Sequence, residues 1–176
     1  MRRPLVLTGG PAAGKTTTGR RLAEGRPRAA FVDVDDVRQF VVAGAEPLWG
    51  GEEGVAQHRL AALNGCLLAR SLVRHRFDVV VADVLTPQTA RDYRSELPDC
   101  LLVHLVVPFA EAQRRAAMRH RWLTDEEFRE LHRTDANWPP EVDHSLEVGE
   151  LSFEEQLAVV EEVWTASDRS ADSDDR

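Results

Sequence analysis

The stretch Gly9-Gly10-Pro11-Ala12-Ala13-Gly14-Lys15-Thr16 constrains this chain more than any other. It reads as glycine, four variable residues, glycine, lysine, then a hydroxyl residue, and it directly follows the apolar run Pro4-Leu5-Val6-Leu7-Thr8. Such a loop works only between a buried strand and a helix. Glycines let the backbone turn until successive N–H groups point at one spot, and the following helix adds the positive end of its dipole. Residues 4–8 are therefore expected to form a buried parallel strand, and residues 16–24, stopping at Gly25, a helix. The pattern is that of a loop for nucleoside triphosphate phosphates. Gly9, Gly10, Pro11, Ala12, Ala13, Gly14, Lys15, Thr16 and the next residue, Thr17, are the expected ATP contacts. Lys15 should reach the β- and γ-phosphates and take part in catalysis, while the Thr16 hydroxyl should hold Mg²⁺.

The chain has 22 basic residues, and Lys15 is the only lysine among them. A general preference for arginine explains the pattern elsewhere. At this position a compact ammonium on a thin stem is needed, and a planar guanidinium does not fit between the loop and the phosphates.

The remaining sequence alternates apolar runs with helical patterns. Further strands are expected at 29–34, 77–82, 101–107 and 145–148. Helices are expected over 55–76, 87–94 and 109–120. Thr86-Pro87 reads as an N-cap with proline at the first helical position, and the capping-box patterns at Thr124 and Ser152 start two more helices. Strands alternating with helices predict an α/β fold, a parallel sheet covered on both faces. The length of 176 residues suits a single domain, expected over 1–166, with the polar, acidic stretch 167–176 a disordered tail.

A formal net charge of −8 argues against nucleic acid as a partner. The N-terminal apolar run is too short for a signal peptide or a membrane span, so a soluble cytoplasmic protein is expected. Cys66 and Cys100 each lie in an apolar segment and read as buried thiols.

Ligands of such sheets bind beyond the carboxyl ends of the strands, where Asp33, Asp35 and Asp83 also fall. Asp35 is the expected general base, taking the proton of an attacking hydroxyl. Continued strand alternation places Asp33 and Asp35 on one side and Asp36 on the other. Asp33 and Asp83 are expected at the Mg²⁺ ion, and Asp36, Arg38 and His58 at the acceptor substrate. Arg114, Arg115, Arg119 and Arg121 cluster at the end of one helix. A lid over roughly 115–138 would bring Arg115 to the nucleotide and Arg119 and Arg121 to the transferring phosphoryl group. Trp49, Trp122 and Trp138, with Phe40, sit in or near connecting segments where aromatics can line an acceptor pocket.

These residues resemble the P-loop small-molecule kinases, which include shikimate kinase, gluconate kinase and chloramphenicol phosphotransferase. Phe31-Val32-Asp33-Val34-Asp35-Asp36 is similar to the D-x-D strand end of shikimate kinase, which implies Mg²⁺ at Asp33 and the acceptor hydroxyl at Asp35. Val79-Val80-Val81-Ala82-Asp83-Val84 is similar to the third strand of chloramphenicol phosphotransferase, with Ala82 replacing the first of two acids. Arg115 and Arg119 resemble that family's lid arginines. The resemblance implies a three-layer α/β/α P-loop NTPase fold with a five-stranded parallel sheet in order 2-3-1-4-5 and a helical lid. It implies an ATP- and Mg²⁺-dependent phosphotransferase acting on a hydroxyl of a small antibiotic or metabolite, as monomer or homodimer. A nucleoside or nucleotide kinase, and a regulatory ATPase with no small-molecule acceptor, are the alternatives.

Overall fold

The computed structural model describes residues 2–118 and 123–171. β1 (Leu5–Thr8), β2 (Ala29–Asp33), β3 (Asp78–Ala82), β4 (Leu101–Val106) and β5 (His144–Glu147) form one sheet in the order β2-β3-β1-β4-β5. All neighbouring pairs are parallel, as expected for strands linked by helical crossovers. The helices are α1 (Lys15–Glu24), α2 (Val34–Arg38), α3 (Gly51–Arg74), α4 (Pro87–Glu96), α5 (Phe109–Ala117), α6 (Asp125–Asn137) and α7 (Phe153–Ala171).

Alternation along the strands divides the core into two. Val6, Val79, Val81 and Leu102 face one side and pack with Ala62, Cys66 and Ala69 of α3 and Tyr93 of α4. Leu5, Leu7, Val80, Val103 and Leu105 face the other and pack with Leu22 of α1 and Val160 and Trp164 of α7. Trp164 is fully buried, and its indole N–H donates to the Arg3 carbonyl at 2.7 Å. The two thiols are buried and free.

β1 lies between β3 and β4, where the crossovers depart to opposite sides. The loop after β1 thus opens into the crevice where such sheets bind ligands.

Three sequence expectations need correction. β2 ends at Asp33, and Asp35 lies in α2, so strand alternation does not govern the two acids. The cause is a cap: the Asp33 carboxylate accepts from the Asp35 N–H at 3.1 Å and turns the chain into a helix. α3 begins at Gly51 rather than residue 55, with Glu52 and Glu53 stabilising its first turn against the helix dipole. α7 continues to Ala171, so residues 167–171 are helical. Ser167 is buried and its hydroxyl donates to the Trp164 carbonyl at 2.8 Å.

Candidate functional site

The phosphate loop takes its shape from a few strained or crowded positions. Gly9 has φ +140°, and a Cβ there would lie 2.4 Å from the Leu105 carbonyl oxygen. Gly14 caps α1 in the left-handed region at φ 92°, and Ala12 adopts φ 61°. Lys15 Nζ donates to the carbonyls of Gly9 at 2.7 Å and Gly10 at 3.1 Å, folding back over its own loop. Desolvation lowers the Lys15 ammonium from its usual range, and Asp35, Asp135, Asp83 and Asp33 oppose that shift.

Thr16 and Thr17 are exposed in the first turn of α1. Thr16 Oγ1 donates to Asp33 Oδ2 at 3.0 Å, so the residues expected at Mg²⁺ already touch. Burial, and then Asp35, raise the Asp33 carboxyl above its ordinary value, while the Thr16 hydrogen bond lowers it. These are hard oxygen donors, and Mg²⁺ binds through one or two protein oxygens plus waters and substrate phosphates. The pair fits that ion. Among the described residues, no group of three or more His, Cys, Asp or Glu side chains is arranged to hold a metal alone.

Asp83 sits apart from this pair. Its side chain is fully buried, accepting from the Val84 N–H at 2.8 Å and the Tyr93 hydroxyl at 3.1 Å. Arg38 Nη2 lies 3.5 Å from its other face. Burial pushes its carboxyl up to about 7, against the pull of Arg38. Arg38 also donates to His58 Nδ1 at 2.6 Å and places Nε 3.8 Å from Asp35 Oδ1. His58 is buried, and burial, then Arg38, lower its pKa to about 4, so it is a neutral acceptor behind Arg38. It lines a smaller cavity of about 170 Å³. Asp36 is exposed and outside the set of residues lining the main cleft.

The main cleft has a volume of about 530 Å³. Pro11, Ala12, Gly14, Lys15 and Thr16 form its floor, and Asp35, Arg38 and Gln39 one side. Pro47, Leu48 and Trp49 from the connection before α3, and Leu123, Phe128 and Leu131 at and in α6, also line it. The sheet thus brings Lys15, Thr16, Asp35 and Arg38 to one cavity.

The expected lid is described in part. Arg119, Arg121 and Trp122 lie outside the described residues. Arg115 is held away from solvent, its guanidinium donating to Glu111 at 2.8 Å and to the Val148 carbonyl at 2.8 Å. α6 is docked on the phosphate loop. His132 Nε2 donates to the Pro11 carbonyl at 2.8 Å, and Asp135 accepts from the Gly10 N–H at 3.1 Å. His104 of β4 holds the Asp135 carboxylate at 3.0 and 3.1 Å. From α7, Gln156 donates to the Ala13 carbonyl at 3.1 Å and to Thr18 Oγ1 at 3.0 Å. The sequence reading missed these four residues. One signal was present: His104 interrupts an apolar strand, and a buried polar side chain requires a partner.

No protein-family model matches this sequence, and no curated protein matches it by sequence. Solved structures match it in shape. A sugar kinase from Janibacter, solved unliganded, superposes over 94% of this chain and 95% of its own with a TM-score of 0.71 and 17% identity. A gluconokinase from Sinorhizobium meliloti covers 98% of this chain and 97% of its own, at 0.69 and 19%. Shikimate kinase from Acinetobacter baumannii, in complex with shikimate, covers 93% of each chain at 0.62 and 21%. At such identities the likeness is one of fold, and the fold of this chain is that of the shikimate kinase-like P-loop small-molecule kinases.

Proposed function

We propose that the chain is an ATP-dependent kinase that moves the γ-phosphoryl group to a hydroxyl of a small molecule. The observation that carries this reading is the convergence of Lys15, Thr16 and Asp35 on one 530 Å³ cleft, with Asp33 touching Thr16 behind it. Asp35 lines the cleft without touching the Thr16–Asp33 pair through its side chain, which leaves its carboxylate available to an acceptor hydroxyl.

In this reading the loop amides and Lys15 hold the phosphates, Lys15 leaving its own carbonyls to do so. Thr16 and Asp33 would hold Mg²⁺, which neutralises phosphate charge when bound. The acceptor oxygen forms a bond to the γ-phosphorus, the bond to the β-phosphate bridging oxygen breaks, and the hydroxyl proton passes to Asp35. Arg38, 3.8 Å away, holds Asp35 in place. Arg119 and Arg121 are retained in the proposal as cations on the transferring group. The shape likeness to a sugar kinase, a gluconokinase and shikimate kinases supports a small-molecule acceptor.

The experiment is ADP formation with ATP and Mg²⁺ across an acceptor panel. Acceptor-stimulated ADP release is expected, and Asp35→Asn should lower turnover by about 10²–10⁴-fold. Hydrolysis that no alcohol stimulates would sink the reading, and wild-type turnover in the variant would remove Asp35 as the base.

A further inference from the structure

We infer that the acceptor is an uncharged or cationic alcohol with an apolar body, and that the cleft rejects hydroxy acids. The inference rests on the kinase reading for the word acceptor, but its charge argument stands on the cleft alone.

Among the described residues, the cleft is lined by two cations, Lys15 and Arg38. Lys15 belongs to the phosphates. Arg38 is the cation on the acceptor side, and its charge is already matched. Asp83 lies 3.5 Å from one nitrogen and Asp35 3.8 Å from another. Asp83 cannot swing aside to release Arg38, because its side chain is fully buried and fixed by Tyr93 and Val84. His58 accepts a further Arg38 N–H and, being neutral, adds no charge. A carboxylate entering here would meet Asp35, and among the described residues the guanidinium on that side, Arg38, already has its charge balanced by Asp35 and Asp83. Whether Asp83 is ionised or protonated, the group of Asp35, Arg38 and Asp83 has no surplus positive charge.

The walls point the same way. Pro47, Leu48 and Trp49 lie in the connection between α2, which carries Asp35 and Arg38, and α3. They present a proline ring, an isobutyl group and a 42% exposed indole. An apolar ring stacks on such a surface, and an ammonium gains from the indole face. The shikimate kinase and gluconokinase that share this fold are named for hydroxy acids, a class that the acceptor inferred here excludes.

The test uses three compounds sharing a phenyl ring and a hydroxyl: phenylethanediol, phenylglycinol and mandelate, which are neutral, cationic and anionic. Binding is read by Trp49 fluorescence in the full-length protein with Mg²⁺ and a non-hydrolysable ATP analogue, with Trp49→Phe as the signal control. The diol and phenylglycinol should bind at least about tenfold more tightly than mandelate, about 1.4 kcal/mol. Asp35→Asn, on an exposed helix turn, should narrow that gap by relieving the repulsion. Mandelate binding as well as the diol overturns the inference, as does failure of the diol to bind up to its solubility. The kinase reading fails differently, by absence of phosphoryl transfer to every alcohol, and the binding order does not depend on that outcome.

Discussion

Replacing Asp83 by Asn isolates the cost of burying one carboxylate beneath the cleft. Asn keeps one oxygen for the Val84 N–H and turns its NH2 to the Tyr93 hydroxyl, which then accepts instead of donating, so both contacts can be kept. It cannot ionise. In the folded protein Asp83 keeps its proton up to about pH 7, against an ordinary value of 3.8. Between those limits the native state binds more protons than the unfolded state, so wild-type stability falls as pH rises relative to the variant. At 1.36 kcal/mol per pH unit, the whole window is worth about 4 kcal/mol, and the span from pH 5 to 8 about 3 kcal/mol. Above pH 7 the difference is flat. Urea unfolding of both proteins at pH 5, 6, 7 and 8, followed by tryptophan emission, measures it. The stability of Asp83→Asn minus that of wild type should rise by about 3 kcal/mol across the series. A difference that stays level would refute the reasoning. That level outcome would mean that Arg38, 3.5 Å away, outweighs desolvation and keeps the carboxylate ionised throughout the series.

Other substitutions probe the loop and the core. Gly10→Ala puts a Cβ 3.0 Å from His132 Cε1, which should displace α6 and weaken nucleotide binding severalfold by calorimetry; adding His132→Ala should recover part of the loss. Burial pushes the thiols of Cys66 and Cys100 up to about 12 and about 11, so a disulfide reagent at pH 8 should label them only at the rate of unfolding; fast labelling in the native protein would contradict their burial. Trp164→Phe removes the indole hydrogen bond to Arg3 and leaves a small void, at a cost of about 1–3 kcal/mol in chemical unfolding, with unchanged stability the contrary result.

Much of the fold was legible because its signals are local. Thr86 and Thr124 cap their helices with reciprocal side-chain bonds, and Ser152 pairs with Glu155 in the same way. The glycine loop located β1 and α1 to within a residue. The strand order followed from resemblance to a known fold. What failed to show was the competition at Asp33, where a β-rich run meets a capping carboxylate. The run Asp33-Val34-Asp35 reads equally as strand alternation or as an N-cap with its first turn, and only the cap forms. The site was legible where one segment supplied it. The contacts of Asp135 and His104 with the loop, and the pairing of Arg38 with Asp83, join residues far apart in the chain, and nothing in their spacing announces them.

The docking of α6 and α7 on the phosphate loop has a consequence for biosynthesis. Gly10, Pro11 and Ala13 leave the ribosome early, but their partners Asp135, His132 and Gln156 follow 121–143 residues later. Closing loops of that length is a late and slow event in folding. The segment that reads most plainly as a nucleotide site is therefore completed only when nearly the whole chain has been made. Nucleotide capture then marks the end of assembly, and nascent chains or fragments lacking α6 and α7 carry the motif without its geometry.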